Sequence, residues 1–136
     1  MATESTLLIV KPDGVRRGLV GEVLRRVERK GLAIGALRMY TMPRETAEQH
    51  YGEHREKPFF GELVDFITGG PVVVAKITGG DAITCWRTLM GPTNPVEAPP
   101  GSIRGDLATE IGENIVHGSD SADSAERELA LFFDAD

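Results

Sequence analysis

The chain reads as a small α+β sandwich, a sheet with helices on one face. Three observations carry that reading. Short runs of strand length are almost wholly apolar, helical apolar stripes lie between them, and a strand–helix–strand unit is followed by a helix and a second such unit. The 136 residues are 40% hydrophobic, enough for one core, so 1–136 is expected to be a single domain.

Leu7 to Val10 is a continuous apolar run, predicted as a central strand covered on both faces that delivers Lys11 to its end. Pro12-Asp13-Gly14 is expected to turn the chain. Val20, Val23, Leu24 and Val27 fall at i, i+3, i+4 and i+7, which predicts an amphipathic helix over about 20–30. Gly31 should stop it, with Arg25, Arg26 and Arg29 on a solvated face. Leu32 to Met42 alternates roughly and predicts a second strand, ended by Pro43, which can open a short helix to about His50. Phe60, Leu63, Val64 and Ile67 form the stripe of another helix, from near Pro58 to the stop at Gly69-Gly70-Pro71, with Phe59 off its centre.

Val72 to Ile77 predicts a third strand, followed by a turn at Gly79-Gly80 and a helix from its cap Asp81 to Met90. Cys85, among Ala82, Trp86 and Leu89, reads as a small buried hydrophobe. Residues 91–113 carry four prolines and four glycines without a sustained period and predict a long structured loop; loops of that length tend to be functional or interfacial. Ile103, Leu107 and Ile111 within it are hard to bury on so small a domain. A closing strand is expected at 115–117, with Gly118 allowing a sharp exit and Ser119, Asp120 and Ser121 beginning a helix. In that helix Ala122, Ala125, Leu129 and Phe132 share one face, bordered by Glu128.

Fifteen basic against 21 acidic residues give a net charge of -6, which disfavours a general nucleic-acid or membrane-surface binder. One cysteine excludes an internal disulfide and a cysteine-based zinc cluster, and fits a reducing cytoplasm. No run of eighteen apolar residues exists, and the N-terminal stretch has no basic flank, so neither a membrane span nor a signal peptide is expected.

The chemistry points to His117. It ends an apolar run, and a carboxylate at Glu128, partly buried on the following helix, needs a donor. An imidazole N–H supplies one, fixing the tautomer and leaving the other nitrogen free. Lys11 at a strand end, Arg87 on a helix flank and Arg104 in the long loop each call for an anion, and with the Thr93 hydroxyl they could hold a polyphosphate. Taken singly, each reads as a snorkelling or ion-paired side chain. Neither GxxxxGK[ST] nor GxGxxG occurs, so side chains must do the gripping. His50 and His54 do not form HExxH with Glu53 and read as an exposed helix end and loop. With no GxSxG elbow, Ser119 is a helper rather than a nucleophile.

Lys11-Pro12-Asp13-Gly14, Tyr51, Pro58-Phe59-Phe60, Pro99-Pro100-Gly101-Ser102-Ile103-Arg104-Gly105-Asp106 and Asn114-Ile115-Val116-His117-Gly118-Ser119-Asp120 together resemble nucleoside diphosphate kinases, over about residues 5–133. The resemblance implies a ferredoxin-like βαββαβ sandwich with a four-stranded antiparallel sheet. It also implies transfer of the terminal phosphoryl group of a nucleoside triphosphate to a nucleoside diphosphate, through a phosphohistidine at His117. Lys11, Tyr51, Arg87, Thr93, Arg104 and Asn114 match positions that bind phosphates and ribose, and Glu128 and Ser119 those that support the histidine. Phe59 and Ile111 match the residues between which the base is held, and a grip through the π-face implies broad base tolerance. Mg²⁺ is expected to be carried by the nucleotide rather than by protein ligands. A cytoplasmic homo-oligomer is implied, a hexamer in preference to a tetramer. The alternative is an inactive nucleotide-binding module of the same fold. Leu107 stands where many relatives have phenylalanine, and Glu113 where many have arginine.

Overall fold

A computed structural model describes residues 3–133. In chain order the elements are β1 (Thr3–Val10), α1 (Pro12–Arg16), α2 (Val20–Lys30), β2 (Ala33–Thr41), α3 (Arg44–His50), α4 (Phe60–Ile67), β3 (Pro71–Gly80), α5 (Ala82–Met90), α6 (Ile103–Leu107), β4 (Val116–Gly118) and α7 (Ala122–Phe132). Single 3₁₀ turns occupy Gly52–His54 and Pro95–Glu97. The sheet runs β2-β3-β1-β4 with every pair antiparallel, the expected ferredoxin-like arrangement, in which α2 and α5 cross between strands.

Helices cover both faces of the sheet, not one. Successive residues of a strand point to opposite sides, so Leu8 and Val10 enter a core with Val23, Val27, Trp86 and Ile103, while Leu7 and Ile9 enter another with Val64, Ile67 and Phe132. All four of these β1 residues are fully buried. An unbroken apolar run is stable only with cover on each side, and α3, α4 and α7 supply the second layer. In α7 the inward residues are Ala125, Glu128 and Phe132, and Ala122 is exposed.

Several local expectations change. Pro12-Asp13-Gly14 is the first turn of α1, with proline where its missing N–H costs nothing. Gly79 and Gly80 lie inside β3, paired to Glu4 and Thr3, because β1 extends further towards the N-terminus than its apolar run. Asp81 occupies the N-cap of α5 but makes no side-chain cap; Glu4 Oε1 instead accepts the Ile83 N–H at 2.9 Å. Gly31 does end α2, at φ 98°. Arg26 is not simply solvated: it pairs with Glu22 at 2.7 Å and with Asp106 at 3.0 Å, tying α2 to α6, whereas Arg25 and Arg29 are exposed. Cys85 is only half-buried.

The long loop is more ordered than its composition suggests. Ser102 Oγ accepts the Gly105 N–H at 3.0 Å, Asp106 Oδ1 accepts the Gly101 N–H at 2.9 Å, and Asn94 Oδ1 accepts the Val96 N–H at 3.1 Å. Ile103 is fully buried in the core, against expectation, and Leu107 is half-buried; of the three apolar residues only Ile111 remains exposed. Glu113 faces Arg16 at 3.7 Å on the surface. Among the described residues no helix is long and apolar enough to cross a membrane.

β4 begins one residue later than predicted. Ile115 stands outside it at φ 73°, and Gly118 lies within it rather than at an exit turn. A Cβ on Gly118 would come within 2.6 Å of both Trp86 and Met90, so the glycine lets β4 seat directly on α5.

Candidate active site

β4 pairs His117 with Ile9 of β1, and the Trp86 N–H holds the His117 carbonyl at 3.2 Å, so the backbone beneath the imidazole is fixed from two sides. His117 Nε2 lies 3.0 Å from Glu128 Oε1, and Ser119 Oγ donates to the same oxygen at 2.7 Å. Burial disfavours the ionised form of Glu128, but its bonds with His117 and Ser119 prevail and hold its pKa below the ordinary value. An ionised carboxylate only accepts, so Nε2 carries the hydrogen and Nδ1 of the neutral ring keeps its lone pair.

The cationic side is a buried lattice. Lys11 Nζ donates to Asn114 Oδ1 at 2.9 Å, and Asn114 Nδ2 donates to the Thr93 carbonyl at 3.0 Å. Burial, then the Arg104 charge, lowers the Lys11 pKa to about 8, with Asp13 partly opposing. Arg104 is braced rather than awaiting an anion. Its Nε, Nη1 and Nη2 donate to the carbonyls of Asn114 at 3.2 Å, Gly91 at 2.9 Å and Val116 at 2.6 Å. A guanidinium has five N–H donors, so these three carbonyls leave two of them unused. Burial and the Arg87 charge lower the Arg104 pKa to about 10.

Two neighbouring cavities gather the predicted residues. One, of about 290 Å³, is lined by Tyr51, Arg87, Thr93, His117 and Glu128, with His50, Glu53, His54, Gly118 and Asp120. The other, of about 560 Å³ and mainly apolar, is lined by Lys11, Tyr51, Phe59 and Ile111 with Glu62, Leu63, Phe66 and Gly112. Tyr51 is common to both. Phe59 and Ile111 are 42% and 57% exposed. Asn114, Arg104 and Ser119 are buried behind the cavity walls.

Three residues escape the sequence reading. His50 is not an exposed helix end. It is 5% exposed, its ring lies edge-on to His117 with centroids 4.7 Å apart, and neither ring nitrogen has a partner. Burial, then the His117 charge, lowers its pKa to about 3. Its spacing of three from buried Ala47 was the available signal. Asp13 is fully buried, and its Oδ2 accepts the Ile115 N–H at 3.1 Å while the Lys11 N–H donates to the Ile115 carbonyl at 2.8 Å. Between these bonds a β-branched residue is held in the left-handed region, a strain of order 1–3 kcal/mol. The segment after β1 thus sets the backbone that presents Asn114 and His117.

Among the described residues, one group of His, Cys, Asp or Glu side chains could hold a metal ion, and it is His50, His117 and Glu128. Two nitrogens and one oxygen do not suit Mg²⁺, which takes oxygens. Glu53 and Asp120 are exposed carboxylates lining the first cavity.

The family model described as nucleoside diphosphate kinase matches residues 4–136. The chain belongs to the nucleoside diphosphate kinase family. A nucleoside diphosphate kinase of Deinococcus radiodurans is 65% identical over 130 residues, covering 96% of this chain and 94% of the relative. One from Archaeoglobus fulgidus is 61% identical over 133 residues, covering 98% and 88%. The structure of a halophilic nucleoside diphosphate kinase from Halobacterium salinarum in complex with CDP superposes with a TM-score of 0.95 at 48% identity, covering 98% of this chain and 89% of that one. As a nucleoside diphosphate kinase family member the chain is an enzyme, a phosphotransferase, and its α+β sheet is the family fold.

Proposed function

We propose that the single domain spanning 1–136 transfers the terminal phosphoryl group of a nucleoside triphosphate to a nucleoside diphosphate by a ping-pong mechanism through Nδ1 of His117. The observation that carries this reading is the contact of His117 Nε2 with ionised Glu128, which leaves the lone pair on Nδ1. That lone pair attacks the γ-phosphorus, the bond to the β–γ bridging oxygen breaks, and the nucleoside diphosphate leaves with that electron pair. The ring then carries phosphate on Nδ1 and hydrogen on Nε2. Its positive charge is offset by Glu128, held in place by Ser119. A terminal oxygen of a second diphosphate reverses the step.

Lys11, Arg87, the two unused N–H groups of Arg104 and the Thr93 hydroxyl oppose the charge spread over the phosphate oxygens. Tyr51, common to both cavities, is the residue proposed to contact the ribose, and Asn114 acts by holding Lys11. Mg²⁺ carried by the nucleotide would supply further positive charge beside Lys11, Arg87 and Arg104. The base rests between Phe59 and Ile111, and the halophilic relative's complex with CDP supports a nucleotide as the ligand. Apolar contact through the π-face accepts all bases, so broad tolerance follows.

A homo-oligomer, a hexamer in preference to a tetramer, completes the proposal. Val96 in the long loop is 79% exposed, and Leu37 and Met39 on the edge strand β2 are 53% and 56% exposed, apolar surface that a second copy would cover. The cytoplasm is the proposed compartment, consistent with a lone cysteine. Incubation with γ-labelled ATP tests the central claim: an acid-labile, alkali-stable label is expected. A folded protein that takes no label would instead be an inactive nucleotide-binding module.

A further inference from the structure

We propose that His50, His117 and Glu128 also form an inhibitory site for a nitrogen-seeking divalent cation, Zn²⁺ or a near chemical relative, whose binding moves the His117 proton onto Nδ1. The consequence for activity rests on the proposed role of His117; the binding does not.

One donor atom from each of the three residues lies within 4.8 Å of the others. The His117 Nε2 and Glu128 Oε1 pair is at 3.0 Å. Tetrahedral zinc with bonds near 2.0–2.1 Å separates its donors by about 3.3 Å, so most of the closure falls to His50. That residue is available for the task. Both of its ring nitrogens are buried without a partner, so turning one towards a metal breaks no hydrogen bond. The proposed phosphoryl transfer makes no use of His50. The cavity in front of the three residues, about 290 Å³, has room for a water as fourth ligand.

The surroundings select the ion. Lys11 and Arg127 act on His50 with positive charge, so charge alone does not draw a cation in. Affinity must come from the nitrogen bonds, which favour Zn²⁺ and Cu²⁺ over Co²⁺ and give Mg²⁺ almost nothing. Millimolar Mg²⁺ on the nucleotide therefore does not compete.

The inhibitory chemistry is a tautomer change. The metal forms its bond with the Nε2 lone pair, and the hydrogen formerly on Nε2 passes to Nδ1, with no net proton gained or lost. The ring remains neutral. Its nucleophilic lone pair is now engaged by the metal, and Nδ1 has a hydrogen where the attack on phosphorus should begin. The contact with Glu128 changes from hydrogen bond to shared metal ligation.

The test uses the intact protein without nucleotide, in excess Mg²⁺, titrated with Zn²⁺ and separately with Co²⁺. One equivalent of Zn²⁺ should bind. Co²⁺ should develop the intense visible bands of a tetrahedral site, and ¹⁵N spectra of the imidazoles should show both His50 and His117 perturbed, with hydrogen on Nδ1 of His117. Zn²⁺ should slow labelling from ATP at least tenfold, and His50→Phe, which keeps a ring between Tyr51 and Phe132, should lose at least tenfold of that sensitivity. Perturbation of His117 alone, or equal Zn²⁺ sensitivity in wild type and His50→Phe, overturns the proposal. Should His50→Phe not fold, the wild-type ¹⁵N spectra decide by themselves. Metal binding with the predicted tautomer in a protein that takes no label would refute the phosphotransfer reading and leave this site standing.

Discussion

At the His117 end of the cleft a set of buried polar groups is tied together by hydrogen bonds. Arg104 spans three carbonyls, Asn114 joins Lys11 to Thr93, Asp13 grips Ile115, and Glu128 takes bonds from His117 and Ser119. The end at Phe59 and Ile111 is the reverse: two half-exposed apolar side chains on loop segments around a mainly apolar cavity. The two ends meet at Tyr51. Chemistry on phosphorus needs charge held within a few tenths of an ångström before the reaction begins, and buried hydrogen-bond networks provide that at the cost of strain. A base that need not be identified requires only a flat apolar surface, and rigidity there would add discrimination rather than rate.

The sharpest way to break the comparison is His117→Ala. The neighbouring His50 has no bond to a carboxylate that would direct a lone pair outward, so it cannot substitute. Labelling from ATP should vanish and kcat should fall by more than about 10⁴-fold, with an unchanged melting curve. Normal labelling in this variant would move the nucleophile elsewhere.

Glu128→Gln keeps the shape and an acceptor but removes the charge that stabilises the phosphorylated ring. A loss of about ten- to a thousandfold in kcat is expected with little change in KM. An equal loss distributed into KM would assign Glu128 to binding instead.

Asp13→Ala touches no substrate and tests whether the phosphate end depends on a strained backbone. It leaves the Ile115 N–H buried without a partner and releases the left-handed residue, so stability should drop by about 1–3 kcal/mol in urea. kcat should fall with it, because Asn114 and His117 lie on either side of Ile115 in the chain. Stability loss with full activity would show that the strain does not serve the site.

Phe59→Ala should act mainly through KM, weakening all nucleotides by a similar factor, about five- to fiftyfold if one stacking contact is lost. Competition between ATP, GTP, CTP and UTP is the measurement. A selective loss of one base by more than about tenfold would mean that this end reads bases after all.

The smallest expected effect comes from pH. Lys11 titrates near 8 when folded against its ordinary value of 10.5, so below pH 8 it is charged in both states and its burial opposes folding. Between these values the unfolded chain holds more protons, and stability should rise with pH across that window. Nucleotide affinity should move the opposite way, since the lysine loses its charge. A severalfold rise in KM from pH 7.5 to 9.5, with kcat nearly flat, separates this from titration of the nucleophile.

Local pattern and motif spacing carried much of this protein. The apolar runs, the helical stripes and the stop at Gly31 are physical consequences of period and backbone freedom, and they are readable one segment at a time. Lys11 and His117, which line the two cavities, stood out through their motifs, whereas His50 beside them was read as an exposed helix end. What only the tertiary structure decided lies in contacts between segments far apart in the chain. Glu4 caps a helix that Asp81 was expected to cap, Arg26 on α2 turns from solvent to bind α6, and Gly118 serves a contact with Trp86 rather than a turn. Helices on both faces, the burial of His50 beside His117, and the hold of Asp13 on a left-handed Ile115 have the same origin. Each is settled by which side chain is opposite in space, and periodicity along a single segment contains no information about the partner.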